Sequence, residues 1–134
     1  MQLLRLRLSA NPEEVAMVRQ AISGVGEALG LSPRLLSDVK LATSEACTNA
    51  IVHAYEDVQR ASGTLEVCAA RAPDALVVTV TDRGRGIAPR IDGGGLGLGL
   101  PLIAALTRSL SIREGPGGGT EVEMAFGLVE EPST

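Results

Sequence analysis

Aromatic residues are almost absent from this 134-residue sequence, in which Tyr55 and Phe126 are the only two. A core without aromatics is built from Leu, Val, Ile and Ala, and the chain has no platform on which exposed bases could stack. Basic residues are also few and scattered, since Lys40 is the single lysine and the net charge is -4. No basic stripe is present that could follow a phosphate backbone. The composition therefore argues against binding of single-stranded or duplex nucleic acid.

Cysteines and long apolar runs are equally scarce. Cys47 falls in a predicted helix and Cys68 in a predicted strand, and no Cys-x-x-Cys pair is present. Neither a disulfide framework nor a zinc site is indicated, and we expect two small buried thiols. No run approaches the ~20 apolar residues of a membrane span, and the alternating first eight residues predict a strand. We therefore expect a soluble, cytoplasmic protein without a membrane partner.

The length and the periodicity predict one domain with its own core. We place that domain at residues 1–129 and a disordered tail at residues 130–134. Capping signals predict one helix from Asn11 to Gly30 and a second from Pro33 to about Tyr55. The other predicted elements are a hairpin over residues 64–70 and 75–82, a helix over 96–107, and a hairpin over 109–113 and 120–126. This order predicts an α+β fold, a two-layer α/β sandwich whose mixed, mostly antiparallel sheet carries helices on one face.

Polar residues end two of the apolar strand rows. Val78, Val80 and Asp82 fall on one face of a strand, so the carboxylate follows the core-facing row and needs a hydrogen-bond donor. Thr120 is likewise a polar residue at one end of an apolar row, that of the last strand. Gly84 and Gly86 follow Asp82 and allow a sharp turn and a close backbone approach to a ligand. The same spacing is also ordinary turn chemistry after a strand, so this stretch alone leaves both interpretations open.

A glycine-rich segment, residues 93–101, leads directly into a predicted helix. Successive backbone N–H groups and the positive end of the helix dipole then meet at one place, which favours an anion site. A P-loop requires Gly-Lys, and the dinucleotide fingerprint requires a preceding strand, so neither familiar phosphate motif fits. The alternative interpretation of the segment is a flexible glycine hinge.

A polar row lies on the second predicted helix, where Glu45, Asn49 and His53 follow one another at intervals of one turn. A Glu and an Asn four residues apart on a helix usually belong to a solvated face. Beside a phosphate-binding loop, however, a carboxylate and an amide oxygen are suited to Mg²⁺-dependent phosphoryl transfer. We therefore interpret the row as functional.

Four stretches, in order along the chain, resemble motifs of the histidine-kinase-like (GHKL) ATPases, in the version found in anti-sigma-factor serine kinases. Residues 44–55 resemble the N box, residues 82–87 the first glycine box, residues 95–100 the second, and residues 119–120 the closing Gly-Thr. The resemblance implies the Bergerat ATP-binding fold, with ATP between the helix layer and a lid. It also implies transfer of the γ-phosphate to a serine or threonine of an anti-anti-sigma partner.

The resemblance further implies roles for individual residues. Asp82 would accept a hydrogen bond from the adenine amino group, directly or with Thr120 through water. Asn49 would ligate Mg²⁺, and Glu45 would take the proton from the attacking hydroxyl. His53 is either a phosphate contact or a core histidine with a local partner. The other implied nucleotide contacts are Gly84, Gly86, Ile87, Gly95, Gly97, Leu98, Gly99 and Leu100.

The leading hypothesis is an ATP- and Mg²⁺-dependent serine/threonine kinase that sequesters a sigma factor and phosphorylates an anti-anti-sigma protein with a STAS domain. The resemblance also implies a homodimer. Only residues 88–94, with Arg90 as the one cation, separate Ile87 from the second glycine box, a shorter lid than in the anti-sigma kinases. The alternatives are a nucleotide-gated binding module and a switch kinase that holds no sigma factor. A free-standing histidine-kinase catalytic domain is disfavoured because His53, the only histidine, lies inside the nucleotide motif.

Overall fold

The computed structural model describes residues 1–54, 63–82, 99–115 and 119–128, with the side chains of residues 53 and 54 excepted. The α+β prediction is confirmed, because these residues form one antiparallel sheet and three α-helices. The elements are β1 (Gln2–Ser9), a 3₁₀ turn (Pro12–Glu14), α1 (Val15–Leu29), α2 (Pro33–Ala54), β2 (Thr64–Ala72), β3 (Ala75–Asp82), α3 (Gly99–Leu106), β4 (Ser109–Glu114) and β5 (Thr120–Gly127).

The first helix begins and ends where its capping signals place it. The Asn11 side chain accepts a hydrogen bond from the Glu13 N–H at 3.0 Å, and the first turn is 3₁₀ rather than α, a common form of a helix start. At the other end Gly30 adopts φ 71°, and the N–H of Leu31 donates to the carbonyl of Gly26 at 3.0 Å. Glycine takes this left-handed conformation without steric cost, so it closes the helix and turns the chain toward α2.

The five strands lie in the order β1-β2-β3-β5-β4, and every pairing is antiparallel. Val78 pairs with Met124 and Val80 with Val122, so the apolar rows of β3 and β5 share one face. Because side chains alternate along a strand, this register also places the polar residues at the ends of these rows on the same face. The end of β3 and the start of β5 therefore meet at one end of the sheet.

The core lies between that face of the sheet and the helices. The helices contribute Val18 and Ile22 from α1 and Val39 and Ala46 from α2, all buried, and the small residues of α2 let it lie close to the strands. Burying a side chain of the size of Val or Ile contributes about 1.5–3 kcal/mol. The strands contribute a fully buried set made up of Leu65, Val67, Leu76, Val78, Val80, Met124 and Phe126. α2 thus lies against the centre of the sheet, between α1 and α3.

The opposite face of the sheet is polar. Arg5 lies 3.1 Å from Glu66 across β1 and β2, and Arg113 lies 2.6 Å from Glu121 and 3.1 Å from Glu123 across β4 and β5. Exposed ion pairs of this kind add little stability, about 0–1 kcal/mol each. They keep this face solvated, in contrast with the apolar face under the helices.

None of the helices in the described parts of the chain has the length and apolar character needed to cross a membrane.

The two cysteines lie in different environments. Cys47 is buried in the core, as predicted, whereas Cys68 is only partly buried on the polar face of the sheet, so the prediction of two buried thiols was wrong for Cys68. Burial raises the pKa of Cys47 to about 12. Burial and the neighbouring Glu66 carboxylate also raise the pKa of Cys68.

Because the thiolate is the reactive species, we expect a single thiol per native chain to react with Ellman's reagent at pH 8. That thiol is Cys68, and Cys47 should react only after unfolding in denaturant. A Cys68→Ser variant should therefore be unreactive while folded, and a Cys47→Ser variant should keep the native reaction. Rapid labelling of folded Cys68→Ser would contradict the buried position of Cys47.

Candidate functional site

Asp82 and Thr120, the polar residues at the ends of two apolar strand rows, meet at one end of the sheet. Asp82 is the last residue of β3 and is 5% exposed, while Thr120 is the first residue of β5 and is 8% exposed. The Thr120 backbone N–H donates a hydrogen bond to Asp82 Oδ1 at 3.3 Å. The buried carboxylate thus has a donor, and the contact ties together the ends of two neighbouring strands.

Glu45 and Asn49 lie on α2 at the boundary between its buried and exposed sides. Both are partly buried, with Ala42 and Ala46 buried on the core side and Thr48 exposed on the other. Four residues apart on a helix, their side chains are separated by about one turn, roughly 6 Å along the axis. They therefore lie at the margin of the core, where a ligand could reach them.

Asn49 packs directly against the first residue of α3. A Cβ added to Gly99 would lie 2.5 Å from Asn49 Nδ2 and 2.7 Å from Asn49 Oδ1, so glycine is needed for this close approach. Within the described residues, Asn49 Nδ2 is buried without a hydrogen-bond partner. A buried amide without a partner costs about 1–3 kcal/mol, which makes it a candidate for contact with a ligand or an ordered water.

The same contact brings Asn49 to the N-terminus of α3, whose backbone N–H groups and dipole favour an anion. Leu100, the second residue of α3, is 6% exposed and anchors this helix start in the core. An acid, an amide oxygen and a helix N-terminus are thus arranged along the C-terminal half of α2. These groups can bind a phosphate ester and assist the transfer of its phosphoryl group.

The residues also fit a magnesium ion that is shared with a phosphate. No group of three or more His, Cys, Asp or Glu side chains that could hold a metal is found in the described part of the chain. Mg²⁺ needs no such group, because it commonly takes one or two protein oxygens and completes its shell with phosphate oxygens and water. Asn49 Oδ1 is suitably placed to be that oxygen, one turn from the Glu45 carboxylate.

Several predicted site residues lie outside the described residues. His53 belongs to α2, one turn beyond Asn49, but its side chain is not among those described. The predicted contacts of Gly84, Gly86, Ile87, Gly95, Gly97 and Leu98 fall in the segment between β3 and α3 and remain predictions.

One contact next to the site was not foreseen. Ser44, the neighbour of Glu45, accepts a hydrogen bond from Arg19 Nε at 2.9 Å and donates one to the Lys40 carbonyl at 2.7 Å. The contact joins α1 to α2 immediately beside Glu45. Because the two partners are 25 residues apart in sequence, no local spacing could have indicated the pair.

Comparison with known proteins identifies the family. The model of the histidine kinase-like ATPase domain matches residues 8–126. The serine-protein kinase RsbW of Bacillus pumilus is 37% identical over 82 residues, which are 61% of this chain and 51% of that protein. The anti-sigma F factor of Clostridium acetobutylicum is 28% identical over 141 residues, covering 96% of each chain. Against the first of these relatives, the chain spans about half of the relative's length.

A solved structure agrees with the fold. The crystal structure of the RsbU and RsbW domains of a Mycobacterium tuberculosis protein superposes with a TM-score of 0.69 at 24% identity, covering 92% of this chain and 32% of that one. The family match spans all three α-helices and β5 as far as Phe126, including Glu45, Asn49, Asp82, Gly99 and Thr120. Since it covers nearly the whole described fold and every site residue placed above, this chain belongs to the histidine kinase-like ATPase domain family.

Proposed function

We propose that this protein is an ATP- and Mg²⁺-dependent serine/threonine protein kinase that acts as an anti-sigma factor in a partner-switching system. Its substrate would be the hydroxyl of an anti-anti-sigma protein with a STAS domain, and its second partner a sigma factor. The names of the relatives, serine-protein kinase and anti-sigma F factor, support this assignment. A homodimer and a cytoplasmic location belong to the same proposal.

The contact between Asn49 and Gly99 is the observation that carries the proposal. It places together an amide oxygen, an amide N–H that has no partner among the residues the structure describes, and a helix N-terminus, one turn from Glu45. The first three groups can hold the phosphates and the metal ion of a nucleotide, and the Glu45 carboxylate can assist transfer to a hydroxyl. A structural helix contact alone would not require a carboxylate at that position.

The mechanism assigns separate tasks to the residues of the site. The α3 N-terminus, beginning at Gly99, would hold phosphate oxygens through backbone N–H groups, and Asn49 Oδ1 would hold Mg²⁺. When bound, the ion neutralises part of the charge on the phosphate oxygens. Glu45 would accept the proton of the acceptor hydroxyl as the hydroxyl oxygen attacks the γ-phosphorus, and the bond from that phosphorus to the β–γ bridging oxygen would break, with ADP as the leaving group. Asp82, positioned by the Thr120 N–H, would accept a hydrogen bond from the adenine amino group.

Incubation with γ-labelled ATP, Mg²⁺ and a purified STAS-domain protein from the same organism tests this function. We expect label on a serine or threonine of that protein and none when Mg²⁺ is chelated. A nucleotide-gated binding module would bind ATP but leave the STAS-domain protein unlabelled. A switch kinase would label it but form no complex with a sigma factor, which a pull-down with and without ATP distinguishes.

Replacement of Gly99 by alanine tests the contact between α2 and α3. The added methyl group must displace the Asn49 amide, since it would otherwise lie 2.5 Å from Nδ2. Overpacking costs about 1–3 kcal/mol, and the low end applies because the neighbour is the end of a side chain. We expect affinity for Mg·ATP to fall roughly fivefold, measured by calorimetry.

Gly24→Ala is the matched control. Gly24 lies on the exposed side of α1, and nothing lies within 4 Å of a Cβ added there. This change should leave ATP affinity as it is and stabilise the helix by about 0.5–1 kcal/mol. Equal ATP affinity in Gly99→Ala and wild type would show that ATP binding does not depend on the observed position of the Asn49 side chain.

A further inference from the structure

Two of the exposed large apolar side chains lie on one stripe of α2. In the described part of the chain, the large apolar residues that are exposed are Met1, Met17, Leu41 and Val52. Leu41 is 42% exposed and Val52 is 41% exposed. Eleven residues on an α-helix make three turns plus about 20°, so both side chains project in nearly the same direction. Thr48, also exposed, lies between them.

The core does not explain this stripe. The opposite side of α2 supplies the buried contacts to the sheet through Val39, Ala46 and neighbouring small residues. Leu41 and Val52 lie outside that packing and expose apolar surface to water, which single scattered residues often do. The position of Glu45 between Leu41 and Val52 along the helix distinguishes this pair from scattered apolar residues. Glu45 lies one turn beyond Leu41 and two turns before Val52, at the edge of the same stripe.

We propose that the exposed stripe of Leu41, Thr48 and Val52 on α2 is the docking surface for the protein that carries the acceptor hydroxyl. The inference rests on the proposed kinase function, and it adds the surface on which that substrate is recognised. It implies an acceptor protein whose serine or threonine is flanked by apolar side chains. Leu41 and Val52 would contact these side chains on the two sides of Glu45.

Distances along the helix support this occupant. Proton transfer requires the acceptor hydroxyl to come within about 2.6–3.2 Å of the Glu45 carboxylate. A protein that delivers the hydroxyl covers about 800 Å² of its partner, a disc of roughly 16 Å radius. At 1.5 Å per residue, Leu41 lies about 6 Å and Val52 about 10 Å along the axis from Glu45. An acceptor centred on Glu45 therefore covers both, whereas a sigma factor has no chemical need to approach Glu45.

The test is a double variant, Leu41→Gln with Val52→Thr, which removes apolar surface but keeps side-chain size and helix propensity close to the original. The substrate is a purified STAS-domain protein from the same organism. We expect its KM to rise roughly tenfold, the loss typical of removing central apolar contacts. At saturating acceptor kcat should be unchanged, and the Kd for Mg·ATP should equal that of the wild type. Met17→Gln is the matched control, because Met17 is 59% exposed on α1, outside the stripe.

A binding measurement separates this inference from the proposed function. Calorimetric titration of the acceptor into protein saturated with Mg·ADP needs no phosphoryl transfer, and the double variant should bind roughly tenfold more weakly there too. If the wild type binds the acceptor without labelling it, the kinase function fails while the docking surface is still tested. Unchanged acceptor affinity in the double variant, absence of acceptor binding by the wild type, or an equal loss in Met17→Gln overturns the inference. Weakened binding of a sigma factor with intact acceptor binding would also overturn it, by assigning the stripe to the sigma factor.

Discussion

Glu45→Gln is expected to reduce phosphorylation of the acceptor protein by ~10²- to 10⁴-fold, the usual contribution of general-base assistance. Glutamine keeps the size of the side chain and its position at the margin of the core, but it cannot accept the hydroxyl proton. Glu45 is not assigned to the adenine or to the metal, so affinity for Mg·ATP should stay close to that of the wild type. Single-turnover phosphorylation and calorimetric ATP binding measure the two effects separately.

Asn49→Ala provides the comparison for this variant. It removes the amide that packs against Gly99 and the oxygen proposed to hold Mg²⁺, so ATP affinity and phosphorylation should fall together. Variants of these two residues, one turn apart on α2, would then separate nucleotide binding from phosphoryl transfer. If Glu45→Gln phosphorylated its acceptor at the wild-type rate, the general-base role would be wrong. Transfer would then depend on positioning and Mg²⁺, which a loose transition state permits.

Asp82→Asn is expected to weaken ATP binding by ~1–3 kcal/mol, the cost of a mispaired buried polar group. This loss corresponds to roughly fivefold to 150-fold in Kd. Asparagine can keep Oδ1 as the acceptor for the Thr120 N–H, so the contact between β3 and β5 can persist. The other carboxylate oxygen becomes an amide donor, which faces the adenine amino donor without an acceptor. Calorimetry with ATP in the presence of Mg²⁺ measures the change.

Glu123→Gln is the control for the loss of an acidic group at this sheet. Glu123 lies on the opposite, polar face of β5, where it accepts a hydrogen bond from Arg113 at 3.1 Å. Removing an exposed ion pair should change stability by less than about 1 kcal/mol and leave ATP affinity unaltered. ATP affinity in Asp82→Asn equal to that of the wild type would remove Asp82 from the adenine site.

Local patterns predicted the regular elements because their causes are local. Asn11 caps the 3₁₀ turn that leads into α1, and Gly30 ends that helix in the left-handed conformation. The alternation of β3 and β5 correctly separated their core and polar faces, since side chains on a strand have a period of two. The environment of Cys68 was harder to predict, because a small thiol fits either face of a strand. Its partial exposure depends on the side chains that neighbouring strands place beside it.

The arrangement of the strands could not be derived in the same way. The sequence predicts that β4 and β5 form a hairpin, but it leaves open which of them pairs with β3. In the structure β5 lies between β3 and β4, and the shorter β4 takes the edge of the sheet. A short edge strand with Ser109, Ser111 and Arg113 on its polar face is easily solvated, whereas β5 buries Met124 and Phe126. This choice is what brings Thr120 next to Asp82.

By itself the sequence determined the fold class and the helix and strand faces, and it predicted the residues at which chemistry could occur. These properties follow from short-range periodicity, capping and the positions of polar residues at the ends of apolar rows. Only the tertiary structure decided which of these residues touch, because the contacts join distant segments. The approach of Gly99 to Asn49, the hydrogen bond from Thr120 to Asp82 and the tie from Arg19 to Ser44 each depend on the packing of whole elements. Burial of apolar surface determines that packing by bringing apolar faces together. The residue spacing within one segment does not indicate which face of another element that segment will contact.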